Sequence, residues 1–199
     1  MREEMRSGRR RQIEEAAYRL LKDRGYGGTS MLAVAKEARA SNETLYRWYG
    51  DKRGLFKAMV AGNAAATTAA LKAAIGCGAD PLATLDEVAP LLLSMLLGER
   101  AISLNRAAAS DPSGELGATI AAAGRDSVLP LIEALIGQGL ETDVLAAPSA
   151  RVAAEWFLSL LVGDQQIRRV IRAMAALPEA EIRARAAAAM TAFRKLCAS

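Results

Sequence analysis

The stretch SNETLYRWYGDKRGLF, Ser41 to Phe56, decides how this chain is read. It gathers Tyr46, Trp48, Tyr49 and Phe56, four of nine aromatic residues in a chain of 199, and interleaves them with Arg47, Lys52 and Arg53. Ser41 is a strong helix-capping residue and Gly50 a strong stop, so the stretch predicts a short helix with Leu45 turned inward. Asp51 then caps a longer helix through Leu55, Phe56, Met59 and Val60, reaching about Ile75.

Upstream, Arg39-Ala40 form a tight turn, preceded by a short helix through Leu32, Val34, Ala35 and Ala38. Thr29 or Ser30 caps that helix, and the glycines of GYGGTS make the turn before it. Earlier still, Ile13, Ala16, Ala17, Leu20 and Leu21 fall at i, i+3, i+4, i+7 and i+8, one face of a helix starting near Arg9. Gly25 ends it, after Lys22 and Arg24, which suit a helix C-terminus. Two short helices joined by a tight turn, with a third helix covering their apolar face, are a helix-turn-helix arrangement. Its second member normally enters the major groove. The pattern reads as a complete three-helix core.

Downstream, Gly76, Gly78, Asp80 and Pro81 mark a break. Helices are predicted over 82–97, 99–109, 115–137, 149–173 and 179–197. Loops are predicted at Gly98, 110–114, 137–148 and 177–178, with a kink at Gly163-Asp164. Ala and Leu dominate and are strong helix formers, and no alternating β-branched run stands out. The expected fold is all-α: an N-terminal three-helix bundle with a helix-turn-helix over residues 1–53, then a larger helical ligand-binding and dimerisation domain over 54–199.

Charge separates along the same line. Residues 1–53 carry 13 basic and 8 acidic side chains, a balance of +5 against −1 for the remainder. A basic first quarter on a near-neutral body suggests a polyanion-binding head. Histidine is absent, which removes the usual general base and the commonest metal ligand. No phosphate loop appears either, so neither an enzyme, a metal site nor a cofactor is expected. Cys77 and Cys197 are far apart and outside any CxxC, consistent with apolar fillers in a reducing cytoplasm. MREEMRSGRRR lacks the apolar stretch of a signal peptide, and VAPLLLSMLL is too short to span a bilayer. A cytoplasmic protein with no membrane partner is the expectation.

At this point the residues of 9–56 resemble the DNA-binding domain of TetR/AcrR-type bacterial transcriptional regulators. The family signature across the recognition helix and the start of the next is met by Thr44, Leu45, Tyr46, Trp48, Tyr49, Lys52 and Leu55. The resemblance implies double-stranded operator DNA as partner. It places Tyr46 on the DNA-facing side, where its hydroxyl can donate to a phosphate. It gives Lys52 a phosphate at the helix N-terminus, which would also offset an unfavourable cation there. Trp48 or Tyr49 would wedge the helix end against the core, the Trp48 indole N–H could also reach the backbone, and simple packing is the favoured role for Tyr49 and Phe56. Base reading falls to Ser41, Asn42, Glu43, Thr44 and Arg47, since Arg suits guanine, Asn adenine and Glu the cytosine amine; alternatively Glu43 forms a capping box with its neighbours or repels non-cognate sequence. Thr29, Ser30 and Met31 would meet the backbone, and Arg9 to Arg11 would follow adjacent phosphates. One departure stands out: the family usually has Gly in the turn, where this chain has Arg39. Either the turn differs, or it is strained and Arg39 gains a phosphate contact.

Reading one half-site gives little specificity, so a homodimer is expected. Val152, Trp156, Phe157 and Leu160 form one apolar stripe, and Ile182, Ala186, Met190 and Phe193 another. Two such helices per subunit would make a four-helix interface, as in the resembled family; alternatively the stripes bury into their own subunit. Leu92, Met95, Ser103, Asn105, Arg106, Arg125, Trp156 and Gln166 are polar or large residues within apolar segments, candidates to line a pocket for a small hydrophobic or amphipathic effector. Residues 101–143 resemble a C-terminal subtype of the same regulators. The implied protein is a repressor whose two recognition helices stand about 34–36 Å apart until an effector shifts the fourth helix. A regulator or activator without a ligand, or controlled by a partner, is the alternative.

Overall fold

A computed structural model describes residues 2–197 of the chain, with side chains from Met5 onward. The charges of Arg2, Glu3 and Glu4, counted above in the basic first quarter, lie outside the described side chains. The described residues contain helices and turns with no strand. They divide into two compact units, one made of residues up to Gly62 together with Ser103–Ala123, the other of Asn63–Ile102 together with Gly124 onward. The 53/54 boundary read from the sequence falls inside a helix.

The first unit opens with α1 (Arg2–Arg24), α2 (Met31–Glu37) and α3 (Asn42–Tyr49), followed by the start of α4 (Lys52–Cys77). The five apolar residues counted on α1 are all buried, and the Tyr18 hydroxyl beside them donates to the Met59 carbonyl at 2.8 Å. α1 begins well before Arg9. Its first turns carry no apolar periodicity, so nothing in the pattern announced them. Ser30 caps α2 by accepting from the Ala33 amide at 3.1 Å, and Ser41 caps α3 by accepting from the Thr44 amide at 3.1 Å. Gly50 closes α3 at φ +77°. Asp51 caps α4 by accepting from the Gly54 amide at 2.7 Å.

The three helices are not a complete core. Leu55, Phe56, Met59 and Val60 of α4 join it, as do Leu104 and Ala107 of α6 (Glu99–Ala109) and Leu116 of α7 (Glu115–Ile120). A short three-helix domain buries a small fraction of its surface, so the additional apolar contacts matter to its stability. Arg53 pairs with Glu115 within the same unit.

The second unit is built on α5 (Pro81–Leu97), α8 (Asp126–Glu141), α9 (Ala150–Val162), α10 (Gln165–Val170) and α11 (Glu179–Leu196). α5 and α11 form its centre: Leu85, Val88, Ala89, Leu92 and Leu93 share one core with Ile182, Ala186, Ala189, Met190 and Phe193. Phe157 of α9 meets Phe193 edge to face, with centroids 5.7 Å apart and planes at 73°. Burying each large side chain contributes roughly 1.5–3 kcal/mol.

Several boundaries differ from the sequence reading. The helix expected over 115–137 is two, α7 and α8, joined by a π-helical turn at Ala121–Arg125. The loop expected from Gly137 begins only at Thr142, because α8 runs through both Gly137 and Gly139. Gly139 is covered by Leu145, whose Cδ1 would lie 2.9 Å from a Cβ there, so this glycine serves close packing within the helix. The helix expected over 149–173 breaks at Gly163, φ +54°, into α9 and α10.

The dimer stripes also need correction. Phe157, Ile182, Ala186, Met190 and Phe193 are interior residues of the second unit, at most 6% exposed. They face α5 and each other, the alternative considered above, and offer no surface to a second copy. Val152, Trp156 and Leu160 are half-buried.

Candidate nucleic-acid interface

α3 is an amphipathic helix with one fully buried residue, Leu45, on its inner side. Asn42, Glu43, Tyr46 and Arg47 are all exposed, Tyr46 by 50%. Their spacing of i, i+1, i+4 and i+5 sets them on one outer face. That face holds a carboxamide, a carboxylate, a phenol and a guanidinium, a set able to match base edges and phosphates. Ser41 and Thr44 are occupied at the cap. Their hydroxyls are 2.8 Å apart, and Ser41 holds the Thr44 amide, so they fix where α3 begins.

The turn before α3 is the departure flagged by the sequence. Arg39 adopts φ +51°, the left-handed conformation for which glycine is the usual residue. The turn keeps its backbone bonds there: the Arg39 amide donates to Lys36 at 3.2 Å and the Ala40 amide to Ala35 at 2.9 Å. The Arg39 carbonyl accepts from Arg9. The turn is thus of the expected kind, held in a conformation that costs a non-glycine residue on the order of 1 kcal/mol.

Trp48 is half-buried, and the guanidinium carbons of Arg6 and Arg10 each lie 5.8 Å from its ring. Tyr49 is half-buried as well. Its hydroxyl lies 3.5 Å from a Glu14 carboxylate oxygen, and burial, then the Glu14 charge, raises its pKa.

Three assigned residues sit differently from expectation. Met31 is buried in the first unit's core and cannot reach DNA. Thr29 is 6% exposed, and its hydroxyl donates to the Gly25 carbonyl at 2.8 Å, so it shapes the turn. Ser30, the actual cap, remains exposed. Lys52 donates to the Tyr26 carbonyl and lies 3.8 Å from the centroid of the Tyr26 ring. The offset for a cation at this helix start is therefore already present inside the protein. Burial nevertheless lowers the Lys52 pKa below its ordinary 10.5.

Sequence reasoning ran α2 through Leu32 together with its inward apolar residues and missed that Leu32 is 67% exposed. Met31, Val34, Ala35 and Ala38 form the buried i, i+3, i+4, i+7 series, and Leu32 falls outside it, so the periodicity could have marked it as outward. It also missed Tyr26, whose aromatic contact with Phe56 (centroids 5.7 Å, planes 81°) fixes the ring that Lys52 covers.

The effector candidates are not gathered in one unit. Ser103, Asn105 and Arg106 belong to the first, while Leu92, Met95, Arg125, Trp156 and Gln166 belong to the second. Leu92 is a core residue at 2% exposure, and Gln166 is committed to the Leu96 carbonyl at 2.9 Å. Met95 and Trp156 are half-buried and Arg125 exposed.

Comparison with known proteins adds independent findings. Residues 13–59 match the model of bacterial regulatory proteins of the tetR family, and residues 83–196 match that of the AefR-like transcriptional repressor C-terminal domain. No curated protein matches the chain. Among solved structures, a TetR-family transcriptional regulator from Mesorhizobium loti is similar at 22% identity and TM-score 0.78, covering 97% of this chain and 98% of that one. A TetR transcriptional regulator from Agrobacterium tumefaciens is 26% identical with TM-score 0.72, covering 94% of each chain. The regulator FadR from Bacillus subtilis, solved with stearoyl-CoA, has the same fold at 15% identity and TM-score 0.72, over 92% of this chain and 96% of that one.

Proposed function

The chain belongs to the TetR family of bacterial regulatory proteins, and on that premise we propose that it is a repressor which holds its operator as a homodimer and releases it on binding a small amphipathic molecule. It is a DNA-binding regulator and not an enzyme. The observation that carries the reading is the outer face of α3, where Asn42, Glu43, Tyr46 and Arg47 stand exposed over a fully buried Leu45. Arg47 and Asn42 read base edges, and Tyr46 donates to a phosphate. Ser30 at the start of α2 adds a hydroxyl toward the backbone.

The helix-turn-helix lies within residues 1–53 in this account, packed with the rest of the first unit, and the second unit is the effector-binding and dimerising part. α4 begins in the first unit and ends in the second, so a shift along it can pass from effector to reader. Dimerisation engages the outer side of α9 and α11. Val152, Trp156 and Leu160 contribute there, joined by the exposed alanines Ala184, Ala187 and Ala188, whose small size permits close helix approach. The stearoyl-CoA complex of the FadR relative supports a ligand with a long apolar part and a charged head.

Fluorescence polarisation with duplexes from the DNA upstream of the chain's own coding region tests this. Binding at nanomolar protein that is reversed by acyl-CoA thioesters supports the whole reading. Binding that no metabolite reverses favours a regulator without a ligand, and no binding to any duplex rejects the reader itself.

A further inference from the structure

Arg6, Arg9 and Arg10 stand at i, i+3 and i+4, one face of α1. The sequence reading gave Arg9 to the DNA phosphates, yet its guanidinium is held by two hydrogen bonds at the protein surface. Nη1 donates to Gln12 at 2.9 Å, and Nη2 donates to the carbonyl of Arg39, the residue held at φ +51°. On the same face, Arg6 and Arg10 both lie over the Trp48 ring. One side of α1 therefore meets α3 at both ends, at the strained turn before Ser41 and at its last turn.

We propose that Arg6, Arg9 and Arg10 are positioning residues that brace α3 and set its discrimination between DNA sequences without contacting bases. The proposal rests on the reading of α3 as the DNA reader. α3 has eight residues and only Leu45 is fully buried, so its own packing fixes its roll weakly. Hydrogen bonds to base edges require accurate placement, while contacts to phosphates tolerate displacement. A loosened α3 thus loses specificity before it loses general affinity. Arg9 has a further task. A non-glycine residue in the left-handed region persists only where its surroundings hold it, and the Arg9 bond to the Arg39 carbonyl is such a restraint. Glycine at position 39 would need no restraint.

The test compares the full-length wild type with R9A, R6A/R10A, R39G and R9A/R39G. Each is titrated against a duplex selected from randomised DNA by the wild type and against a scrambled duplex of equal length, over a range of salt. R9A and R6A/R10A are each expected to lower the selected-to-scrambled affinity ratio about tenfold, as loss of a charge-assisted contact would, with the salt slope unchanged. Adding R39G to R9A restores most of the ratio. An unchanged ratio, or equal losses on both duplexes with a slope smaller by about one, makes Arg9 a mere phosphate contact and overturns the proposal.

Hydrogen exchange on the free protein supplies a second readout. The Ala40 amide, bonded to Ala35, is expected to lose protection in R9A and to regain it in R9A/R39G. Unaltered protection overturns the brace whether or not DNA binds, whereas a wild type that selects no sequence counts against the reader itself.

Discussion

Gly54 stands so close to the end of α3 that a Cβ placed on it would lie 1.8 Å from the Tyr49 carbonyl oxygen. The obstacle is backbone, so it cannot swing aside as a side chain would. The glycine therefore sets how closely the start of α4 approaches the end of α3. Gly54→Ala is expected to destabilise the chain by about 3 kcal/mol, as overpacking in a rigid setting does. Gly76→Ala in the same helix has nothing within 4 Å of its new methyl and is expected to stabilise by roughly 0.5–1 kcal/mol. Urea unfolding of the two variants measures both.

The exposed face of α3 predicts a contrast in binding. Arg47→Ala is expected to lower affinity for the selected duplex tenfold or more and to relax preference at one base position, with the thermal midpoint unchanged. Tyr46→Phe keeps the ring and removes only the hydroxyl donor, so its loss is about three- to tenfold and uniform across sequences. Polarisation titrations against a panel of single-base variants separate the two patterns.

Much of the reader was legible because its signals are local. Ser41 and Gly50 bound α3, Leu45 is the one residue that must turn inward, and α1 repeats apolar residues at helical spacing. The left-handed Arg39 could be anticipated from the single place where glycine is missing. What was not legible depends on contacts distant in sequence. Leu104, Ala107 and Leu116 join the reader's core from residues 103–123, and no pattern near residue 50 could announce them. Lys52 was assigned to DNA because its partner, the Tyr26 ring, lies 26 residues away in a glycine-rich turn. The stripes of α9 and α11 show which residues are apolar but not what covers them: α5 covers much of α11, while α8 and α11 cover α9.

Arg169 is the most consequential charge in the second unit. It is 5% exposed and donates to the Leu97 carbonyl at 3.2 Å, the Met174 carbonyl at 3.4 Å and the Glu99 carboxylate at 2.6 Å. Arg169→Met is expected to cost about 2–3 kcal/mol, since buried groups lose a charged donor. Arg183→Met breaks an exposed pair with Glu179 and should leave the unfolding midpoint where it was. Parallel chemical denaturation of both variants checks the ranking.

The buried Tyr18 hydroxyl predicts a response to alkali. Burial first, and then the Glu14 charge, raises its pKa well above the ordinary 10.0. The folded state thus keeps a proton that the unfolded state releases. The resulting stability is complete below pH 10 and is lost as the pH rises from there toward the folded-state pKa. Tyr18→Phe should cost about 1 kcal/mol at pH 7, where the Met59 carbonyl loses its donor, and should flatten the decline above pH 10. Unfolding free energies at pH 7, 9 and 11 for both proteins report it.

The central claim is that α3 reads DNA in a twofold pair. Selection of bound sequences from a randomised duplex library by the full-length protein tests it most directly. The account predicts an enriched inverted repeat whose half-sites are centred about one helical turn apart, or a whole multiple of it, with enrichment abolished in Arg47→Ala. Enrichment of a lone, asymmetric half-site, or of no sequence at all, would contradict it.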